Sequence, residues 1–393
     1  MNIEQQKQRP EARNLKTANS GMFFCVVIAL PFDGATFHFA SLLLLVTALL
    51  SVSSYRWVAV QQSLEKFKTV HWAFLGIVLF MCLSNLINIQ GLEAWDSTAK
   101  FVFRYWLMLA TLLYLLDQKL LTLRFIFFAA LCSVVTQLLP FLPLIWNGSI
   151  FETRFYGFTS NPNIIGLYAG LGILAGVYLA ADRKLGMPSF RLPISLALMS
   201  LAGGALLASG NRAGWVALIG GLACYMVFEL RRNVKTIISM LALSAMGAGY
   251  TFTQHSVPRQ RLQLLLDGYP ALRDQVWQNS YELFIEKPIF GYGLDTRAAL
   301  LQNHQIYSEH NIFLSVLLAL GLAGFAAYCF LLFSICWPNL KKRNGVGLSA
   351  MTFLMGVGMF GFDFYADQHF MVCFVIVSVA CLYQDKKNEI RTS

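Results

Sequence analysis

The sequence predicts an all-α, polytopic membrane protein with about twelve transmembrane helices and one long periplasmic loop containing surface helices. Of the 393 residues, 57% are hydrophobic and 13% are charged, whereas soluble domains contain about 45 to 50% apolar and about 25% charged residues. The mean hydropathy of +0.57 excludes a soluble globular domain. Because one crossing takes about 20 apolar residues, the chain can supply a dozen helices in a single integral membrane domain, residues 1–393.

Twelve apolar windows are candidate spans, and the distribution of charge orients them. With both termini in the cytoplasm, 21 of the 30 Lys and Arg residues fall inside and 9 outside, while 8 acidic residues fall inside and 12 outside. Cytoplasmic loops are enriched in Lys and Arg, so an even number of crossings is predicted. The windows are 18–33, 35–52, 70–89, 101–116, 122–145, 163–181, 192–208, 213–228, 236–253, 310–336, 346–362 and 368–383.

The stretch 254–309, between the ninth and tenth windows, is the long periplasmic loop and the first place to look for function. Within it, Pro270 marks a helix start and residues 271–286 form an amphipathic pattern that ends before Pro288. Arg273 and Trp277 fall on one face of this helix. The pattern predicts a helix that lies along the membrane surface.

Nine basic residues lie on the side that the charge rule disfavours, and some of them are candidate ligands for an anion. Snorkelling or ion pairing is the ordinary explanation for four of them. Arg212 differs because it sits in the short hairpin 209–214 beside glycines that allow a ligand to approach closely. Its guanidinium fits a pair of phosphate oxygens better than a lysine does. The nine are Lys100, Arg104, Arg154, Arg212, Arg259, Arg261, Arg273, Lys287 and Arg297.

Three further residues are candidates, each with a structural alternative. Arg154 opens an outer loop in which Asn163 offers an amide beside Pro162; a plain turn is an equal alternative. Trp277 and Arg273 present an indole ring and a cation to a lipid-linked ligand. Alternatively, Trp277 anchors the helix at the membrane interface.

His310 is the candidate base. With Ser308 as N-cap, His310 lies in the first turn of a helix, where the helix dipole favours the neutral ring that accepts a proton. A capping or packing histidine is the alternative.

The sequence contains no phosphate-binding loop, metal-ligand spacing or hydrolase motif, so neither a metal nor a cofactor is predicted. The basic residues are spread over short loops instead of forming one patch, so nucleic acid is not a predicted partner.

Taken together, these segments resemble the bacterial O-antigen ligases and their relatives, the lipid-linked polysaccharide polymerases and protein O-oligosaccharyltransferases. The resemblance covers roughly residues 150–325. It rests on the order and spacing of four patterns: Asn161-Pro162-Asn163, Ser209-x2-Arg212, Arg273-x3-Trp277 followed by Pro288, Gly291 and Gly293, and His310-Asn311-x2-Leu314-x6-Gly321.

The resemblance implies a metal-independent, inverting glycosyltransferase of lipopolysaccharide biosynthesis on the periplasmic face of the cell inner membrane. It implies transfer of O-antigen from undecaprenyl diphosphate to a lipid A core acceptor. Arg212 and Arg273 are then expected to hold the diphosphate, and His310 to activate the acceptor hydroxyl or orient the reacting centre. Arg154, Asn163 and Trp277 are expected to contact the substrate.

Three alternatives remain open. An O-antigen polymerase often carries an outer-loop arginine followed eleven positions later by glycine, and no outer arginine here has that glycine. A protein O-oligosaccharyltransferase shares the site. A flippase for the lipid-linked glycan would place ionisable groups near the midplane, whereas almost all of those here lie at helix ends or in loops.

Overall fold

The computed structural model describes eleven parts of the chain, and all regular structure within them is helical. This confirms the predicted all-α class for the described residues. The described parts are residues 16–26, 57–147, 154–158, 161–181, 191–228, 249, 256–267, 273–295, 310–342, 344–362 and 367–383.

The helices are numbered here in chain order, and one short π-helical segment, Val102–Leu107, separates α4 from α5. Residues 16–26 form α1. The others are α2 (Trp57–Lys66), α3 (Lys68–Ile87), α4 (Leu92–Phe101), α5 (Met108–Asp117), α6 (Leu123–Leu138), α7 (Phe141–Trp146), α8 (Pro162–Ala181), α9 (Arg191–Ser209), α10 (Arg212–Phe228), α11 (Ser256–Leu266), α12 (Arg273–Glu286), α13 (Ile312–Lys342), α14 (Gly345–Gly361) and α15 (Gln368–Leu382).

Five stretches within the described parts are long and apolar enough to cross a membrane: Lys68–Ile87, Leu92–Asp117, Pro162–Ala180, Leu192–Ser209 and Ile312–Lys342. Four shorter apolar helices, α6, α10, α14 and α15, accompany them. These five stretches and four helices overlap nine of the twelve predicted windows. Their number, length and apolar composition are those of a membrane protein. The window 35–52 lies outside the described residues, 236–253 contains only residue 249 of them, and 18–33 lies only partly within them. Twelve spans therefore stay a prediction.

Two predicted boundaries were wrong. The window 101–116 lies inside a continuous helical stretch of 26 residues, Leu92–Asp117, because residues 92–100 are polar but contain no proline or glycine that would end a helix. The exposed i,i+4 ion pair between Lys100 and Asp96 adds a small stabilisation. The window 122–145 is divided into α6 and α7 by a turn at Pro140, since proline has no backbone N–H for a continuous helix.

The helices meet at two opposite ends of the bundle. At one end Lys66 pairs with Asp117, and the Tyr383 hydroxyl donates to the Leu116 carbonyl oxygen at 3.0 Å. These two contacts join the ends of α2, α5 and α15, which the charge distribution predicts to be cytoplasmic. The other end gathers the last turns of α3, α9 and α14 with the first turns of α8, α10 and α13, and the candidate residues lie there.

Candidate active site

The turn between α9 and α10 is fixed to the start of α8 by Asn211, which is buried. Asn211 Oδ1 accepts from the Gly214 N–H at 3.2 Å and caps α10. Its Nδ2 donates to the carbonyl oxygens of Pro162 and Asn163 at 3.3 and 3.4 Å. Gly166 permits this approach, because a Cβ there would lie 2.0 Å from Asn211 Nδ2. The hairpin that carries Arg212 is therefore part of a fixed junction of three helices.

Arg212 and Arg154 both bind backbone carbonyls at this junction. Arg212 is partly buried, and its Nη1 donates to the Leu264 carbonyl oxygen of α11 at 2.9 Å. The Arg154 Nε donates to the Ser209 carbonyl oxygen at 2.6 Å. These bonds hold both guanidinium groups in place at this end of the bundle.

Arg273, the first residue of α12, lies within electrostatic range of both other arginines. Burial lowers the pKa of the Arg273 guanidinium, and the positive charges of Arg212 and Arg154 lower it further. Three cations at one end of the bundle repel one another. An anion with two or more charges bound among them would relieve that repulsion, and a diphosphate has this character.

Trp277 and Asn163 meet the end of α14 beside the arginines. Trp277 lies one turn after Arg273 and packs on Phe360, with ring centroids 5.9 Å apart and an interplanar angle of 33°. The Asn163 Nδ2 donates to the Gly361 carbonyl oxygen at 3.4 Å. The structure therefore connects five of the six predicted residues into one group.

The prediction that His310 lies in the first turn of its helix was wrong. Helix α13 begins at Ile312, and Asn311 is the N-cap: its Oδ1 accepts from the N–H groups of Phe313 and Leu314 at 3.0 and 3.2 Å. His310 precedes this cap with a φ of 49° and is exposed. Asn311 takes the capping role predicted for Ser308 because its side chain reaches these two N–H groups.

His310 belongs to the same end of the bundle as the arginines. Ile312, two residues further on, lies against the last turn of α14: its Cγ2 is 3.2 Å from the position of a Cβ built on Gly358. Gly361, which accepts from Asn163, follows three residues later. His310 therefore lies two residues before a helix start that packs on the last turn of α14.

A second polar group near this end has no counterpart in the sequence-based site. Arg104 is buried on the π-helical segment and interacts electrostatically with Asp367, which caps α15 through the Phe370 N–H at 2.9 Å. The Tyr168 hydroxyl bonds to His369 Nδ1 at 3.1 Å. The sequence carried one signal for this group, since Arg104 interrupts an apolar window. The structure adds the π-helical segment, and such segments are frequent at functional sites.

Within the described residues, no three His, Cys, Asp or Glu side chains gather as a metal-binding group. Metal-independent and cofactor-free action stays a prediction.

Fold and site together define an α-helical membrane protein with a cationic group at one end of its bundle. Residues 196–329 match the family model described as O-antigen ligase. The chain is also similar to an O-antigen ligase of Pseudomonas aeruginosa, with 27% identity over 237 residues, which are 58% of this chain and 55% of that protein. Both matches support the O-antigen ligase superfamily and confirm the resemblance predicted from the sequence.

The matched region contains Arg212, Arg273 and His310 and ends at Cys329, within α13. The chain spans about half the length of the curated relative that it matches.

Proposed function

We propose that this protein is an O-antigen ligase. It moves O-antigen glycan from undecaprenyl diphosphate to the lipid A core oligosaccharide as a metal-independent, inverting glycosyltransferase. The observation that carries the proposal is the convergence of Arg154, Arg212 and Arg273 at one end of the bundle. Burial lowers the pKa of Arg273 most, and the charges of the other two arginines lower it further. The superfamily match supports the same substrate class.

The diphosphate is both the anchor and the leaving group in this reaction. Arg212 and Arg273 hold its oxygens, with Arg154 as the third cation. As the bond between the anomeric carbon and the diphosphate oxygen breaks, negative charge grows on the leaving group, and fixed guanidinium donors stabilise it. Such donors need no reorganisation at the moment of reaction, so they lower the barrier.

The acceptor hydroxyl attacks from the opposite face and forms the new carbon–oxygen bond, which inverts the anomeric configuration. His310 accepts the hydroxyl proton or orients the acceptor. Its exposed place before the α13 cap suits a group that meets a large, soluble glycan. Trp277 and Phe360 offer an aromatic surface to a sugar ring or to the first isoprene units, and the Asn163 amide offers a donor.

The charge distribution supports an inner-membrane location with both termini in the cytoplasm and this end of the bundle in the periplasm. The alternatives within the superfamily are an O-antigen polymerase or a protein O-oligosaccharyltransferase, which would use the same site with another acceptor. A flippase would move the lipid-linked glycan without forming a bond.

The experiment is reconstitution of the purified protein in liposomes with lipid-linked O-antigen and three acceptors: lipid A core, a second lipid-linked repeat, and an acceptor protein. A ligase yields a new covalent product with lipid A core alone. A product with either other acceptor identifies a polymerase or a protein transferase. Glycan that crosses the bilayer without any product identifies a flippase and contradicts the proposal.

A further inference from the structure

Helix α13 is broken at Gly321, inside a stretch apolar enough to cross a membrane. Gly321 has φ 66° and ψ −168°, a backbone conformation that only glycine adopts readily. A break in an apolar helix removes i to i+4 hydrogen bonds, and the freed N–H and C=O groups need other partners when no water is available.

The segment 287–294, called the clamp segment below, supplies those partners from outside the helix. It follows α12 directly. Two carbonyls of the segment accept from N–H groups after the break, and two of its N–H groups donate to carbonyls before it. The pairs are Leu322 N–H to the Pro288 oxygen at 2.8 Å, Ala323 N–H to the Ile289 oxygen at 3.3 Å, Tyr292 N–H to the Leu318 oxygen at 2.8 Å, and Gly293 N–H to the Ala319 oxygen at 2.9 Å.

The two backbones approach so closely that glycine is required on both sides. A Cβ built on Gly321 would lie 2.3 Å from the Ile289 carbonyl oxygen. A Cβ built on Gly291 would lie 2.5 Å from the Leu318 carbonyl oxygen, and Gly291 also has a positive φ of 67°.

Polar side chains at the end of α3 bind the clamp segment on its other side. The Ser84 hydroxyl lies between the Phe290 carbonyl and the Ala319 carbonyl, the latter at 2.8 Å. Asn85 Oδ1 accepts from the Leu294 N–H at 3.0 Å.

Asn88 contacts the clamp segment at two points. Its Nδ2 donates to the Gly291 carbonyl oxygen at 2.9 Å, and its Oδ1 accepts from Lys287 Nζ at 2.6 Å. Asn88 is partly exposed and so is easier to replace than the fully buried Asn85.

These contacts join the two helices that carry the proposed reacting groups. The clamp segment begins where α12 ends, and α12 begins with Arg273. It inserts into α13, which His310 precedes by two residues. From this arrangement we infer that Ser84, Asn85 and Asn88 are positioning residues: through the clamp segment they set α12 relative to α13, and thereby Arg273 relative to His310.

The catalytic part of this inference rests on the proposed ligase function. The positioning part does not, because it concerns only how α12 is held. A segment that merely fills the break in α13 would stabilise the bundle without affecting α12 or turnover per folded molecule.

The test is Asn88→Ala, with Asn344→Ala as the matched control. Asn344 caps α14 by accepting from the Val346 N–H at 3.2 Å, near the basic end of α13 and away from the arginines. Hydrogen exchange of residues 273–286 is measured first. We expect Asn88→Ala to accelerate this exchange tenfold or more and Asn344→Ala to leave it unchanged. Equal exchange in both variants overturns the positioning role, whatever the activity.

The second readout is the transfer rate at saturating donor and acceptor, per folded protein. We expect Asn88→Ala to lower kcat at least tenfold with little change in KM, and to lower it no further in an Arg273→Lys background. Multiplicative losses in the double variant, or a kcat equal to that of Asn344→Ala, overturn the catalytic part. If exchange is faster in Asn88→Ala but the wild-type protein forms no product, the ligase proposal is refuted and the positioning role stands.

Discussion

Replacing Gly321 by alanine should destabilise the bundle through a backbone conflict confined to the break in α13. The new Cβ has to be placed 2.3 Å from the Ile289 carbonyl oxygen, and alanine does not readily adopt φ 66° with ψ −168°. Relief of the clash requires the clamp segment to withdraw, which breaks the bonds from Leu322 and Ala323 to its carbonyls.

The magnitude follows from these two effects. A residue held in a glycine-only region costs about 1 to 3 kcal/mol, and each lost hydrogen bond contributes about 0.5 to 1.5 kcal/mol. The expected loss in the free energy of unfolding of Gly321→Ala is therefore about 2 to 6 kcal/mol.

The matched control is Gly76→Ala in α3. Among the described residues, no atom apart from the neighbouring backbone of α3 itself lies within 4 Å of a Cβ added there. Alanine there should be neutral or stabilising by up to about 1 kcal/mol, because alanine favours helix. Unfolding by SDS titration in mixed micelles, followed by tryptophan fluorescence, compares the variants. If Gly321→Ala unfolds within about 1 kcal/mol of Gly76→Ala, the reasoning about the break is refuted.

Three further predictions concern the site. Arg212→Lys keeps the charge but loses the fork of donors, so transfer should fall about 10-fold to 100-fold, as the loss of one charged hydrogen bond implies. Arg259 is an exposed arginine of α11, and the control variant Arg259→Lys should retain wild-type transfer. Equal transfer rates in both variants would indicate that Arg212 only snorkels to the interface. His310→Asn should abolish transfer, since the proposed base is lost. Membrane insertion and abundance should stay unchanged, because asparagine tolerates the positive φ at this position. Wild-type activity of His310→Asn or His310→Ala would show that the histidine takes no part in the reaction. Transfer should continue in EDTA, and a loss that a divalent ion restores would contradict metal-independent catalysis.

Local sequence determined much of this fold. Nine apolar helices were predictable because each crossing needs a continuous apolar run. Helix α12 was predictable from its amphipathic pattern and from Pro288, before which it ends. The hairpin 209–214 was recognised as special from its glycines and its single arginine. The structure adds that Asn211, beside Arg212, binds the carbonyl oxygens of Pro162 and Asn163 at the start of α8.

Long-range contacts and competing caps were not predictable from the sequence. Ser308 and Asn311 are both good capping residues, and the pattern alone could not decide between them. Helix α11 is too polar for an apolar window. The clamp segment looked like a turn, since its role depends on pairing with a break in α13 about thirty residues later and with the end of α3 about two hundred residues earlier. Arg104 interrupted a window, but its approach to Asp367 depends on the packing of α15.

The most direct test of the central claim is binding of an isoprenyl diphosphate to the purified protein in EDTA, with the matching isoprenyl alcohol as competitor. Three gathered arginines should bind the diphosphate and not the alcohol. Arg212→Gln and Arg273→Gln should each weaken binding tenfold or more, while Arg259→Gln should bind as the wild type does. Equal affinity for diphosphate and alcohol, or unchanged binding in both cluster variants, would contradict a diphosphate site at this end of the bundle.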